Sequence, residues 1–415
     1  MKSTVCTLDS MNKIVFSIAV ILIGASCHNE DNVNLKHILD NATSPAIAKV
    51  MAHSDAYELQ IIFSPVHRED NEVSIERYSL GVDPSHYFYP ASTVKLPVTL
   101  LALERLEELK KDHPSLSVYH PIAIDSSRAP QTAMVLDSCS EIGQPTLVSL
   151  IQQVFAISDN NAYNRLYEFL GPAYINEKLK AKGIFTNSRI VTRVGVGGFT
   201  SEDNQHLNPF HFLSDGDTVL SLPARHSPYA IDNTGLKRLH KGDGYIRDGQ
   251  LIKGPFDMSA KNFINLNDLE RCMMTFVLPE LYNPEQRYKM SSSDREIIRH
   301  AMTSIPSDFS CHKHNEDYYD SYVKFFMHGD EKSSLPDHLT IMNKVGIAYG
   351  QVTETAYITD KQNDVEFFLT ATINVNENRI YNDDNYAYDS LGIPFMAELG
   401  RTLHSHLINQ RDHAK

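Results

Sequence analysis

The 415-residue chain is poor in cysteine, with only five in all. Beyond Cys27 the only ones are Cys139, Cys272 and Cys311. Small secreted proteins that depend on disulfides carry a denser set, usually an even number. The sequence therefore excludes a disulfide-rich scaffold. The last three cysteines allow one disulfide, and the sequence does not assign its pairing.

The sequence also lacks an apolar run long enough to cross a bilayer. Its apolar segment near the start, Ile14–Ala25, is short and follows the basic Lys13, which is typical of an export signal. We predict that residues 1–26 form this signal. The segment ends at Gly24-Ala25-Ser26-Cys27, which resembles a bacterial lipoprotein cleavage box. We therefore expect lipidation of Cys27 and a place in the bacterial cell envelope, in the periplasm or anchored to the outer membrane. Ordinary signal cleavage is the alternative.

Positive charge is scarce. Lys and Arg number 38 against 52 Asp and Glu, which gives a formal net charge of −14. Nucleic acids and anionic membrane surfaces attract basic proteins, so this balance argues against both as partners. A membrane contact is expected only through the predicted lipid anchor.

What the sequence does contain is a hydroxyl and an amine at a spacing suited to catalysis. Ser92 and Lys95 open a segment whose leucines recur at helical spacing, so both are predicted to lie on one face of a helix. A serine is a good nucleophile only when a base takes its proton, and a desolvated lysine can be that base. The S-x-x-K motif therefore marks Ser92 as a candidate nucleophile, although the motif alone is common.

Two further motifs follow in order, Ser158-Asp159-Asn160 and Lys344-Val345-Gly346. Together with S-x-x-K they resemble the S-x-x-K, S-D-N and K-T-G set of class A β-lactamases and penicillin-binding proteins, which are serine hydrolases. The resemblance covers most of residues 55–410.

The resemblance implies a role for each matching residue. Ser92 would be the nucleophile and Lys95 would accept its proton. Ser158 would relay a proton to the leaving nitrogen, and Lys344 would supply positive charge. The N–H groups of Ser92 and Ile347 would form an oxyanion hole. The residues expected to contact the substrate are Asn160, Asn208, Gly346 and Ile347.

No metal or other cofactor is expected from this mechanism. The run Cys311-His312-Lys313-His314 contains metal-binding residue types. It has no second ligand cluster at zinc spacing, so we do not predict a metal site there.

The sequence departs from the family pattern in two places. Class A β-lactamases release the acyl group with a water activated by a glutamate in an E-x-x-L-N element. Here Asn204 occupies the glutamate position, which leaves Glu202 or Asp203 as the candidate base. Val345 replaces the threonine of K-T-G and removes a hydroxyl that binds a substrate carboxylate. We therefore expect that Ser92 can be acylated, whereas efficient release of the acyl group is not assured.

The predicted fold is α+β: an antiparallel sheet of about five strands, flanked by terminal helices, with an inserted all-helical domain, as the resemblance implies. A tether and a first helix at Leu35–Met51 are predicted within residues 27–54. The catalytic domain is predicted at 55–410. Its parts are a sheet at 55–91 and 338–410, a helical part at 92–337, and an elaboration at 207–337 with a hairpin near 242–252.

These observations predict a β-lactamase-like serine hydrolase that cuts an amide bond of the β-lactam type through an acyl-enzyme on Ser92. The substrate would be a small molecule or a peptidoglycan-like amide. One alternative is a penicillin-binding-protein-like D-amino-acid peptidase or esterase that β-lactams acylate without efficient release. Another is a non-hydrolytic binding module of the cell envelope. The complete motif set argues against the last, because binding alone does not need it.

Overall fold

A computed structural model describes residues 30–70, 72–313 and 315–414. The predicted signal at 1–26 and Cys27 lie outside these residues. Within the described part of the chain, no helix is both long enough and apolar enough to span a bilayer.

The helices and strands follow one another along the chain in a mixed order. The helices are α1 (Glu30–Asp40), α2 (Pro45–Ala52), α3 (Lys95–Leu109), α4 (Leu147–Ala156), α5 (Asn160–Leu170), α6 (Pro172–Ala181), α7 (Leu266–Val277), α8 (Ser292–Thr303), α9 (Phe325–His328) and α10 (Ile393–Ala414). The strands are β1 (Gln60–Glu69), β2 (Glu72–Ile75), β3 (Tyr78–Leu80), β4 (Ile122–Ile124), β5 (His206–Leu207), β6 (Phe210–Ser214), β7 (Asp217–Leu222), β8 (Arg225–His226), β9 (His240–Lys241), β10 (Gly244–Arg247), β11 (Gln250–Lys253), β12 (Phe256–Asp257), β13 (Leu339–Ala348), β14 (Gln351–Asp360), β15 (Val365–Asn374) and β16 (Ile380–Tyr381).

The central layer is a six-stranded antiparallel sheet in the order β13-β14-β15-β1-β2, with β3 also paired to β1. Early and late strands therefore meet in one sheet, and β1 lies directly beside β15. Long strands such as β14 are buried almost throughout, because helices cover both faces of the sheet. This confirms the predicted α+β fold class.

Two hydrophobic cores lie on the two faces of the sheet. In one, α1, α2 and α10 contribute Leu35, Val50 and Leu399, which pack with Ile61 and Phe367 of the sheet. The other core contains side chains of α3, α4, α5, α7 and α8, together with Met342 and Phe368 of the sheet. The inserted region is not all-helical as predicted, because it also contains the short strands β4 to β12, which pair across its polar loops.

The first helix differs from its prediction. A single helix at Leu35–Met51 is wrong, because α1 ends at Asp40 and α2 begins at Pro45. Ser44 caps α2, since its Oγ accepts a hydrogen bond from the N–H of Ile47 at 3.4 Å. Proline is favoured at the first helical position, where no N–H is needed, and it is disfavoured inside a continuous helix.

The elaboration contains the expected hairpin. Strands β10 and β11 pair in antiparallel fashion across Asp248 and Gly249, and β16 adds to β10 in parallel. A disulfide joins Cys139 to Cys311, while Cys272 is free and buried. The link ties the segment before α4 to the segment after α8.

Candidate active site

Ser92 lies in a tight helical turn at Ala91–Val94 that leads directly into α3. Its side chain is partly accessible, whereas Thr93, Val94 and Lys95 are buried. Ala91 has a φ of 47°, in the left-handed region, where a residue with a Cβ is strained by about 1–2 kcal/mol. Such strain persists only where the surrounding structure fixes the backbone. The position of Ser92 is therefore set by its packing.

Strand β13 packs directly against this turn at Gly346. A Cβ atom at Gly346 would lie 2.8 Å from the main-chain nitrogen of Ser92 and 2.8 Å from the main-chain oxygen of Pro90. Only glycine allows the two backbones to approach so closely. Ile347 is the next residue of β13, and its place with Ser92 in an oxyanion hole stays a prediction.

Lys95 is fully buried, and the S-D-N segment binds its amine. The Nζ of Lys95 donates to Oδ1 of Asn160 at 2.7 Å and to Oγ of Ser158 at 3.3 Å. It also donates to the main-chain oxygen of Ser158. Burial lowers the pKa of Lys95 to about 7. Near neutral pH a large fraction of this amine is therefore uncharged and able to accept a proton.

Ser158 links Lys95 to the third motif. The Nζ of Lys344 donates to Oγ of Ser158 at 2.8 Å, so both lysines bond to one hydroxyl oxygen. Burial, and then the positive charge of Lys95, hold the pKa of Lys344 well below its usual value. Because two positive charges repel each other across one oxygen, the pair favours a state with one neutral amine. The arrangement is suited to proton relay.

A second buried polar cluster lies on the opposite face of β13. The Nζ of Lys324 donates to Oδ1 of Asn343 at 2.8 Å, and the Nδ2 of Asn343 donates to Glu354. Burial lowers the pKa of Lys324 to about 7 and raises the pKa of Glu354 to about 8. No sequence motif marks these residues. The one available signal is a charged residue, Glu354, within a predicted strand.

Asp159 and Asn160 have separate positions at the start of α5. The Oδ1 of Asp159 accepts a hydrogen bond from the N–H of Ala162 at 2.7 Å, which caps the helix. Asn160 is the first residue of α5, and its side chain faces Lys95. This supports a structural part for Asp159 and a positioning part for Asn160.

The segment that borders Asn160 from the other side is Val194–Gly195. Asn164 binds Val194 twice: its Nδ2 donates to the Val194 oxygen at 3.0 Å, and its Oδ1 accepts from the Val194 nitrogen at 2.9 Å. Gly195 has a φ of +63°, and a Cβ there would overlap the side-chain amide of Asn160. The part of the loop in contact with the S-D-N segment thus contributes no carboxylate.

The predicted deacylation residues bind other partners. Asn204 is buried, with Oδ1 accepting from the Arg193 nitrogen at 2.8 Å and Nδ2 donating to the Thr200 oxygen at 2.9 Å. Asp203 binds Thr200 and the Arg128 guanidinium, the latter at 3.1 Å.

Glu202 has a partner different from those of Asp203 and Asn204. Its side chain is 61% exposed and bonds to His206 at 2.9 Å. The structure thus gives Glu202 and Asp203 contacts other than those of a base beside Lys95, and their part in deacylation stays a prediction.

Asn208 is likewise separate from the lysine cluster. Its side chain is fully buried, where Nδ2 donates to the Thr132 oxygen at 3.1 Å and Oδ1 accepts from the Ser127 nitrogen at 3.2 Å. These bonds join two segments of the inserted region. Contact between Asn208 and a substrate stays a prediction.

Aromatic residues from the elaboration adjoin the end of β13. The rings of Tyr89 and Tyr349 are in edge contact with centroids 5.0 Å apart, and Phe256 lies 5.6 Å from Tyr349. The Nζ of Lys261 lies 5.1 Å from the Tyr349 ring centroid. Tyr89 precedes Ser92 by one turn of chain, so this aromatic cluster extends from the candidate nucleophile to the elaboration. The motifs do not reveal it, since its members are far apart in sequence.

Residues 44–212 match the sequence model of the β-lactamase enzyme family. This range contains Ser92, Lys95, Ser158 and Asn160. The resemblance predicted from the motifs is confirmed. The protein is therefore β-lactamase-like, and the match supports a hydrolase activity of the β-lactamase kind. A search of the curated proteins finds no match.

Similar solved structures include β-lactamases at low identity. One is a variant of the reconstructed enzyme of the last common ancestor of Gram-negative bacteria, bound to 5(6)-nitrobenzotriazole. It is 13% identical, with a TM-score of 0.47 over 92% of this chain and 100% of that chain. Another is a β-lactamase from Xanthomonas campestris, which is 14% identical, with a TM-score of 0.46 over 90% of this chain and 98% of that chain.

Proposed function

We propose that the protein is a serine hydrolase that forms an acyl-enzyme on Ser92 with an amide substrate of the β-lactam or peptidoglycan type. The observation that carries this proposal is the hydroxyl of Ser158, bonded at once by the buried amines of Lys95 and Lys344. A binding module has no need for two desolvated lysines with lowered pKa values on one oxygen. A hydrolase needs both a base and a relay.

The geometry supports the following sequence of steps. The neutral amine of Lys95 takes the proton of Ser92 while Oγ of Ser92 attacks the carbonyl carbon. Charge that develops on the carbonyl oxygen is stabilised by the main-chain N–H groups of Ser92 and Ile347. The C–N bond then breaks, and the leaving nitrogen receives a proton through Ser158, with Lys344 stabilising the hydroxyl. The product of these steps is an ester on Ser92.

A second candidate function, an acylated enzyme with slow release, has its own support. Release needs a base that activates water beside the ester, and losing such a base costs about 10²–10⁴-fold in rate. The loop segment beside Asn160 is Val194–Gly195, which has no titratable side chain. Glu168 is buried but bonded by the Arg165 and Arg193 guanidinium groups, each at 3.0 Å. This favours a penicillin-binding-protein-like behaviour toward β-lactams.

Intact-mass spectrometry after mixing with a penicillin tests both candidates. We expect an adduct of one penicillin mass on the wild type and none on Ser92→Ala, with a matched melting temperature as the check on folding. A short-lived adduct would support efficient hydrolysis, and a lasting one would support slow release. An equal adduct on Ser92→Ala would remove Ser92 as the nucleophile.

We propose a cell-envelope location with a lipid on Cys27. The apolar segment and cleavage box support export, and the disulfide between Cys139 and Cys311 suits an oxidising compartment. Membrane fractionation of the native host tests the anchor. Cys27→Ser should release the protein, whereas a soluble wild type with unmodified Cys27 would contradict the lipid anchor.

A further inference from the structure

Two histidines and a glutamate converge on the surface of the inserted region, away from the lysine cluster. His206 and His226 lie directly opposite each other in the antiparallel pair β5–β8. Their rings are stacked, with centroids 4.6 Å apart and planes inclined by 21°. The two rings therefore lie face to face at the same level of the strand pair.

Both Nε2 atoms face one carboxylate oxygen. The Oε1 of Glu202 lies 2.9 Å from Nε2 of His206 and 3.6 Å from Nε2 of His226. The three candidate ligand atoms all lie within 4.8 Å of one another. A single hydrogen bond to a carboxylate requires only one of the two imidazoles, and exposed ion pairs of this type contribute little to stability. Convergence of both imidazoles therefore calls for another explanation.

The distances fit a metal ion. With zinc bonds of about 2.0–2.1 Å, tetrahedral geometry separates neighbouring ligand atoms by about 3.3 Å. The two separations from Glu202 Oε1, 2.9 Å and 3.6 Å, bracket this value, and the third pair of ligand atoms lies within 4.8 Å. Imidazole suits zinc, and two histidines with one glutamate leave a fourth position for water.

The scaffold also holds the site in place. The main-chain oxygen of His206 accepts a hydrogen bond from the Arg193 guanidinium at 3.0 Å, and another from the Gln131 amide. The nitrogen of Ser227, next to His226, donates to the oxygen of Gln205 at 2.8 Å. Glu202 reaches His206 across one turn of chain. The two histidines thus occupy fixed backbone positions, which lowers the entropy cost of closing a metal site.

We propose that Glu202, His206 and His226 form a zinc site. The site is separate from the proposed acylation chemistry and needs none of it. A bound ion would link the segment 202–206 to β8 and fix the end of the loop that begins at Arg193.

The chain offers a matched control. His240 is an exposed histidine on the two-residue strand β9, and it faces Asp257 of β12 at 3.8 Å. It thus has the strand pairing and the carboxylate of the proposed site but no second histidine. His240→Ala removes an ordinary surface histidine in an otherwise similar setting.

Isothermal titration calorimetry of the chelator-treated full chain with Zn²⁺ tests the site. We expect one more Zn²⁺ bound by the wild type and by His240→Ala than by His206→Ala or His226→Ala, because three ligands become two. Co²⁺ should give the strong visible absorption of a tetrahedral complex in the first two proteins alone. Melting curves in a chelator verify that every variant folds.

Glu202→Gln provides a variant that preserves side-chain size. It should weaken Zn²⁺ binding roughly tenfold or more, since an amide is a poor zinc ligand. Equal stoichiometry in the wild type and His226→Ala, or no Zn²⁺ bound by the wild type at micromolar concentration, would overturn the proposal.

Discussion

The Nζ of Lys344 lies 2.8 Å from the Oγ of Ser158, and the Nζ of Lys95 reaches the same oxygen from the other side at 3.3 Å. The oxygen thus joins the buried amine of α3, which we propose as the base, to the buried amine of β13. Removing any one of the three residues should interrupt proton movement between nucleophile and leaving group. Each single substitution leaves the other two residues in place.

Lys95→Ala and Ser158→Ala should each slow acylation of Ser92 by about 10²-fold or more, because each removes one proton-transfer step. The measurement is the labelling rate with a fluorescent penicillin. Asp159 caps α5, and its charge partly opposes the burial that lowers the pKa of Lys95. Asp159→Asn keeps a capping oxygen, so it should change the labelling rate far less than 10²-fold. Rates within threefold of the wild type for both alanine variants would contradict the relay.

The pH dependence follows from the burial of Lys95. Its pKa is lowered to about 7, and only the neutral amine accepts a proton. Acylation should therefore be slow at pH 5.5, rise through about pH 7 and level off above it. Free lysine would place that rise near pH 10. The check is the pH profile of the labelling rate at constant ionic strength, and a flat profile from pH 5.5 to 8.5 would exclude Lys95 as the base.

Release of the acyl group should be slow. The segment Val194–Gly195 places no carboxylate beside Asn160, so stopped-flow kinetics with a chromogenic cephalosporin should show a burst of about one equivalent and then a stall. Asn204→Glu should not restore release. The amide of Asn204 holds Arg193 and Thr200, and a buried charge in its place is destabilising. Fast steady-state hydrolysis by the wild type would show that a base acts from elsewhere.

Gly346→Ala should reduce acylation by about 10²-fold, because a methyl group would push β13 away from Ser92 and displace the oxyanion donors. The blocking atoms are main chain, which cannot rotate aside. Gly197→Ala is the control, since a Cβ at Gly197 meets nothing within 4 Å. Labelling rates and melting temperatures of the two variants provide the test. Equal rates for both would contradict close packing at Gly346.

Sequence spacing locates a side chain best where its position depends on a helix or a strand. Lys95 and Lys344 lie in the regular elements α3 and β13, whereas Ser158 lies in the short link between α4 and α5 with a φ of 58°. Residues in irregular segments were not predictable in this way. The match of Asn204 to a glutamate position assumed one loop path, whereas the structure brings Val194 and Gly195 to Asn160 instead.

Contacts between residues that are distant in sequence were also not predictable from the motifs. Lys324 meets Asn343 and Glu354 only because the chain after α8 returns beneath β13. His226 pairs with His206 only because two short strands form late in the loop. The prediction of one helix at Leu35–Met51 failed for a local reason, since apolar spacing concealed the capping signal Ser44-Pro45.

The backbone of Ala91 has a consequence for how the turn responds to sequence change. Glycine would adopt a φ of 47° without steric cost, which relieves about 1–2 kcal/mol. The same change gives the unfolded chain more freedom, an opposing effect of about 0.4–1 kcal/mol. On these figures glycine would be more stable by roughly 0–1.6 kcal/mol, so alanine at this position does not raise thermal stability. Alanine instead makes the turn stiffer than glycine would. It leaves the turn few neighbouring conformations, which restricts the direction of the Ser92 hydroxyl.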